Sequence, residues 1–468
     1  MLSITDKSWF EQSSIRTVTA FYKKYRLGTI LKNVGAYKQK GILVSAIVQY
    51  LISLVFIGKS MYQDMRSNVS LAQGFSKDTV YRFMSMISVN WRALLLRIAV
   101  KVVADMDKLT SDDRRCAIVV DDTMYEIPYA KKTELVSKVY DHSEKGGNKY
   151  KWGFRMLTLT WTDGVSLIPL AFRHLASSDI GKQRCESKPN LDKRSRAYRI
   201  RKEAVSKAPE VMLEMLKAAI KAGISAKYAL FDSWFAFPST IIKVRSIGLH
   251  VVARVKDTPK LKYTVGGVRK TAKEIFNANR KRRGRSRYLL SALIELRSTE
   301  NGITSTLPAR LVYVRNKYNL KEWIALITTD LSLSEEEVIT LYGKRWDTEP
   351  FYKICKFYLK LAGEFQQLSY DAITAHTTIV MIRYMILSIE KRQREDFRSL
   401  GEIFFHLCDE ALDIKFELAL LLLIFMFAET LRESDVILND EYVNKIMNDF
   451  INKLPNNIQQ CLLRDVSV

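Results

Sequence analysis

The chain is short of the residues that build zinc cages and disulfide frameworks. Its 468 residues hold five cysteines, Cys116, Cys185, Cys355, Cys408 and Cys461, with no C-x-x-C pair among them. That scatter argues against a zinc site and a cystine scaffold, and it fits a reducing cytosol. The five histidines are also dispersed, so no histidine-based metal site is legible. Long apolar runs are missing too. Residues 42–58 contain Gln49, and residues 418–428 are closed off by Glu417 and Glu429. Both fall short of the roughly 20 residues that a membrane-spanning helix needs. Both are therefore expected to be buried helices, and no membrane partner is expected. Asp6, Lys7 and Glu11 interrupt any leader-like run, so no secretory signal is expected. There is no internal repeat and no low-complexity tract.

What the chain has in excess is positive charge. The formal net charge is +24 and the sequence pI is about 9.6. Such a surplus is an argument about partners rather than fold. Nucleic acid comes first, because each neutralised phosphate releases condensed counterions. An anionic membrane surface comes second. The length allows two to four domains and a large core.

Residues 1–110 read as helical, with apolar residues at helical spacing. Within them, Ser76 is placed to cap a helix after a turn at Gly74, as either a helix-turn-helix reader of DNA or an ordinary corner. The texture changes at Cys116. Cys116 to Val120 is a short apolar run that opens onto Asp121, Asp122 and Thr123, as a buried strand leading into a site would. Thr162-Asp163-Gly164 lies between two strand-like runs and signals a hairpin. A basic segment (residues 188–202), an amphipathic helix and Tyr228 to Phe231 follow, the last ending in Asp232-Ser233-Trp234-Phe235. With another helix and strand, residues 111–255 form the first part of a mixed sheet with helices on its faces. Residues 256–321 read as a β-rich insertion. Its basic loop places six basic residues in eight between Arg280 and Arg287, including Arg282 and Arg283, and such a run is suited to touching nucleic acid. Residues 322–362 return to the core, and residues 363–468 are helical, with faces suited to packing or dimerisation.

Three acids stand out by position. Asp121 and Asp232 end strands. Glu349 lies in Tyr342-Gly343-Lys344-Arg345-Trp346-Asp347-Thr348-Glu349, which precedes Lys353 and Lys356. At about 100° per residue, Tyr342, Arg345, Glu349, Lys353 and Lys356 share one stripe of a single helix N-capped by Ser334. Carboxylates at strand ends, joined by one from a helix, can converge on a pair of hard divalent cations, Mg²⁺ or Mn²⁺. Each acid also has a local alternative: Asp121 or Asp122 caps a turn, Asp232 caps the next helix, and Glu349 pairs with Lys353 at i+4.

Asp121-x-Thr123, the Asp232-Ser233-Trp234-Phe235 run and Tyr342-x₂-Arg345-x₃-Glu349-x₆-Lys356 resemble the three acidic motifs of bacterial DDE transposases. The last form is similar to that of the insertion-sequence-four family of cut-and-paste elements. The resemblance spans residues 115–360. It implies an α/β fold: an RNase H-like mixed-sheet catalytic core, interrupted by an all-β insertion and flanked by N-terminal and C-terminal helical domains. It implies that Asp121, Asp232 and Glu349 are catalytic residues and ligands of two Mg²⁺ or Mn²⁺ ions, with Asp122 a competitor for Asp121. Tyr342, Arg345 and Lys356 match residues that hold phosphates, and Lys353 joins them on the stripe. Trp323 stands near where such enzymes stack an aromatic on a flipped base, with core packing as its alternative. The implied partners are double-stranded DNA at terminal inverted repeats, target DNA and a second copy of the chain. The implied location is the bacterial cytoplasm with the nucleoid. Pro350 departs from the pattern, because proline inside a helix costs about 3 kcal/mol and biases the residue before it away from helix. A kink or a new helical start at Pro350 is expected. The rivals are a nuclease on the same core that cuts without joining, and an inactive DNA-binding descendant.

Overall fold

The computed structural model describes residues 15–38, 40–67, 75–111, 114–141, 149–188, 190–283, 286–316, 322–393, 397–433 and 440–454. The chain divides into two compact units: Met1–Thr29, Tyr37–Phe83 and Phe397–Val468 form one, and Ile30–Ala36 with Met84–Asp396 the other.

In chain order the elements begin with α1 (Arg16–Lys24), α2 (Leu27–Asn33), α3 (Val44–Ser53), α4 (Met61–Met65), α5 (Lys77–Met84) and α6 (Trp91–Asp107). The sheet region follows: β1 (Ala117–Glu126), β2 (Ser137–Tyr140), β3 (Tyr150–Thr162), β4 (Leu167–Leu175), α7 (Arg196–Ala204), α8 (Ala208–Lys221), β5 (Tyr228–Phe231), α9 (Pro238–Ser246) and β6 (His250–Arg254). Next come β7 (Tyr263–Val265), β8 (Val268–Lys270), α10 (Ala272–Ala278), β9 (Tyr288–Glu300), β10 (Ile303–Arg315) and β11 (Trp323–Thr328). The chain closes with α11 (Glu335–Gly343), α12 (Thr348–Phe357), α13 (Tyr370–Gln393), α14 (Leu400–Glu433) and α15 (Asp440–Lys453).

The smaller unit is helical. Ile47, Val48 and Leu51 of α3 are buried, and Phe56 meets Phe404 of α14 at 5.5 Å between ring centroids. Lys415 donates to the buried Asp64 at 2.7 Å, so the charge in that core is paired. Helix α5 starts one residue after Ser76, while the turn expected at Gly74 lies outside the described residues.

The larger unit is built on one mixed sheet. Its strand order is β2-β3-β1-β5-β6-β11-β10-β9-β7-β8, with β4 also paired to β3. Strand β3 pairs with β1 along one edge, and because it is long its other edge serves two strands: Tyr150 to Gly153 pair with β2, and Arg155 to Thr162 with β4. Strands β1, β5 and β6 run parallel. Ala117 to Val120 and all four residues of β5 are fully buried, as parallel strands covered on both faces require. The β3–β4 hairpin forms at Asp163 and Gly164. Asp163 Oδ1 accepts from the Val165 and Ser166 N–H groups, and Gly164 takes φ +94°. This mixed α/β arrangement agrees with the expected class.

Three details differ from the sequence reading. The stretch expected to be an all-β insertion includes α10, and its strands β9 and β10 extend the same sheet through β11. Helix α13 is long and apolar enough to cross a membrane but is buried from Tyr370 to Ile389. Its threonines and the fully buried Arg383 hid it among the apolar runs; Arg383 donates to Glu364 at 2.7 and 3.0 Å. Residues 42–58 are largely buried as expected, whereas Leu423, Met426 and Phe427 of the other apolar run are exposed.

Candidate active site

The register of β1 against β5 decides the site. Val120 pairs with Phe231, so Asp121 and Asp232 are the next residues out on adjacent parallel strands, which lie about 4.8 Å apart. The sheet is apolar up to that row and carboxylate at it. A cleft of about 570 Å³ opens there, walled by Asp121, Asp122, Arg155, Asp232, Trp234 and Lys356 among others.

Asp121 is held from the segment of residues 342–356. Its Oδ2 accepts from Thr348 Oγ1 at 2.6 Å and from Arg345 Nη1 at 3.2 Å. Burial pushes this carboxyl up to about 6, although the Thr348 hydroxyl and the Arg345 guanidinium oppose the rise. Arg345 is itself buried, with its guanidinium over the Trp346 ring at 4.4 Å. Burial alone would lower its pKa, but Tyr342 and Asp121 hold it above the usual arginine range. Its buried Nε has no hydrogen-bond partner among the described residues, a donor left over for an anion. Asp122 is engaged elsewhere: Arg155 of β3 grips it through Nε and Nη2, the second bond at 3.1 Å. Asp232 Oδ1 accepts from the Trp234 N–H at 2.7 Å. Both Arg155 and Arg345 feel the charge of Asp232, so two guanidinium groups balance the carboxylate row.

The single helix expected for residues 342–356 is broken. Helix α11 ends at Gly343, a 3-10 turn covers Lys344–Asp347, and α12 starts at Thr348. The turn brings Arg345 and Thr348 onto Asp121. Glu349 and Pro350 are the second and third residues of α12, where N–H groups have no intrahelical acceptor. Pro350 therefore does not interrupt a helix; it opens one.

The expected residues divide into two groups. Asp121, Asp232, Tyr342 and Arg345 come together, and Lys356 faces the same cleft with its Nζ donating to Thr123 Oγ1 at 2.7 Å. Glu349 and Lys353 are exposed on α12. Among the described residues no group of three or more His, Cys, Asp or Glu side chains is placed to hold a metal ion. Asp121 and Asp232 nonetheless suit a hard divalent cation, being oxygen donors on neighbouring strands at a cleft. Trp323 packs against Phe276 and Tyr313, with centroids 5.2 and 5.0 Å away, which is the packing alternative. Arg280, Arg282 and Arg283 are exposed, and Arg282 lies over Tyr288 at 4.5 Å. Sequence reasoning missed Arg155 and Thr348. Arg155 reaches Asp122 only through strand pairing, which no linear pattern reports. Thr348 was visible as the neighbour of Glu349.

A family model described as a DDE superfamily endonuclease matches residues 45–298, more than half of the chain, and includes both Asp121 and Asp232. No curated protein matches the sequence. The chain belongs to the DDE superfamily of endonucleases.

Proposed function

We propose that this protein is a DNA transposase of the cut-and-paste type, which severs the ends of its element and joins them to new DNA. The observation that carries the reading is the contact between Arg345 and Asp121, since Arg345 belongs to the Tyr-Arg-Glu-Lys pattern and Asp121 to the strand-end pair.

Members of this superfamily generally use divalent metals. In this reading Asp121, Asp232 and Glu349 hold two Mg²⁺ or Mn²⁺ ions. Such ions, when bound, activate water and neutralise charge on the phosphate oxygens. Glu349 follows Thr348, the residue that touches Asp121, and in this reading its exposed side chain turns inward to complete the set when metal binds. Arg155 keeps Asp122 out of the ligand set. Arg345, through its spare Nε, and Tyr342, Lys353 and Lys356 fix the phosphodiester backbone. Arg280, Arg282 and Arg283 add sequence-independent contacts to the flanking duplex. Two ends must be held together, and α14 offers a face for a second copy of the chain. Phe405, Leu412, Phe416, Leu423 and Met426 are exposed on it and follow one another at steps of seven, four, seven and three residues, along one stripe as in a helix–helix seam.

The test is a plasmid carrying a marker between the element's native ends, incubated with purified protein and Mg²⁺. Wild type should release the marker and form joined products. Asp121→Asn and Glu349→Gln should lose more than about a hundredfold, and Thr348→Val about ten- to a hundredfold as a supporting partner of a ligand. Release without joining would replace the transposase reading by a nuclease. Binding without cutting would leave a DNA-binding descendant.

A further inference from the structure

We propose that Arg155 is a further DNA-contacting residue of the cleft, one that holds a non-bridging oxygen of the phosphodiester to be cut, and that Asp122 is its positioning residue. The inference rests on the DNA-cleaving reading above and adds to it a phosphate contact from the other face of β1.

Strand lengths open the site from both faces of the sheet. Strand β1 stays paired with β3 as far as Glu126, but its ladder to β5 ends at Val120. Past Val120 the cleft takes the place of that ladder and is lined by every residue from Asp121 to Glu126. Successive strand residues face opposite ways, so both faces of β1 feed one cleft. Arg345 comes to Asp121 from one face. Arg155 comes to Asp122 from the other. Asp122 pairs with Leu157, which puts Arg155 at the diagonal position on the same face.

The grip of Asp122 aims the guanidinium without using it up. Nε and Nη2 of Arg155 donate to that carboxylate, and the buried Phe235 ring lies 5.6 Å away. A guanidinium carries five N–H groups, so three remain, with no other acceptor among the described residues. The side chain is 32% exposed and forms a wall of the cleft. Burial would lower its pKa, but Asp122, and beyond it Asp232 and Asp121, keep it charged. An ion pair this exposed adds little to stability, so its effect is to orient donors rather than to brace the fold. A guanidinium held in a fixed plane matches the oxygens of a phosphate. Arg345 offers its spare Nε and Arg155 its three N–H groups, so a phosphodiester in the cleft is met by two guanidinium groups.

The experiment measures equilibrium binding, without metal and across a series of salt concentrations, to two duplexes. One carries the element's native end, and the other is the same duplex with a neutral methylphosphonate at the phosphate to be cut. Wild type should bind the second about ten- to a hundredfold more weakly. Arg155→Gln should shrink that penalty by about tenfold and lower the slope of log affinity against log salt by about one. Arg155→Lys should keep the slope, because the charge remains, and lose part of the penalty, because the fork is gone. Asp122→Asn should do the same, because the fork is no longer aimed. The double variant Asp122→Asn, Arg155→Gln leaves no carboxylate bare and replaces Arg155→Gln if the single variant does not fold. A methylphosphonate penalty that is absent in wild type, or undiminished without Arg155, overturns the proposal. Cleavage by wild type in Mg²⁺ is scored in parallel. Cleavage with an undiminished penalty removes the Arg155 contact alone, whereas a penalty that depends on Arg155 without cleavage removes the transposase reading and leaves the contact.

Discussion

Asp121 and Asp122 are adjacent on β1 yet have different partners, because successive strand residues face opposite sides of the sheet. Arg155 reaches Asp122 from β3, and Arg345 reaches Asp121 from the segment after α11. The same strand pair makes Gly153 indispensable. A Cβ built there would lie 2.0 Å from the Tyr125 carbonyl oxygen, and the obstacle is backbone. Gly153→Ala should destabilise the protein by about 1–3 kcal/mol, as overpacking does. Urea unfolding would show this as a lower midpoint at unchanged slope. An unchanged midpoint would mean that β1 and β3 can part without cost.

At the scale of elements, the break between α11 and α12 is the feature that builds the site. Ser334 caps α11 with a capping box to Glu337, and three glutamates occupy its positive first turn. Helix α12 begins with Thr348, Glu349 and Pro350. Proline in a first turn loses no hydrogen bond, so the interior penalty of about 3 kcal/mol does not apply. Pro350→Ala should change stability by less than about 1 kcal/mol and leave DNA cleavage close to wild type. A gain of about 3 kcal/mol in denaturant unfolding would show that the proline strains the helix after all.

For the whole molecule, buried carboxylates predict the response to acid. Burial by itself would raise Glu134, Asp163 and Glu364. Hydrogen bonds and cations overcome it: Arg201 at Glu134, the Ser166 and Val165 N–H groups at Asp163, and Arg383 at Glu364. All three carboxyls are held below their usual range. A depressed folded pKa contributes stability that is fully present above the unfolded value of about 4 and is lost as pH falls through the folded value. Asp121, raised to about 6, acts in the opposite sense and costs stability once ionised. The unfolding midpoint should therefore fall steeply below about pH 4, and protonation on top of a net charge of +24 adds self-repulsion. A midpoint flat down to pH 3 would contradict the pairing of these groups. The exposed seam on α14 makes a separate prediction, a concentration-dependent dimer by light scattering that Phe416→Asp dissociates. A wild-type monomer at all concentrations would refute it.

The sequence by itself determined the excess of positive charge, the strand ends and three of the residues that the cleft brings together. Charge balance survives any folding, and a buried strand followed by an acid is a local pattern. That is why Asp121, Asp232, Arg345 and the Asp163 hairpin were legible. Tertiary structure decided which residues meet. The 3-10 turn that ends the expected helix, the grip of Arg155 on Asp122, the packing of Trp323 among aromatics and the burial of α13 all depend on contacts distant in sequence. Helical periodicity places side chains on a face, but only packing says what that face touches.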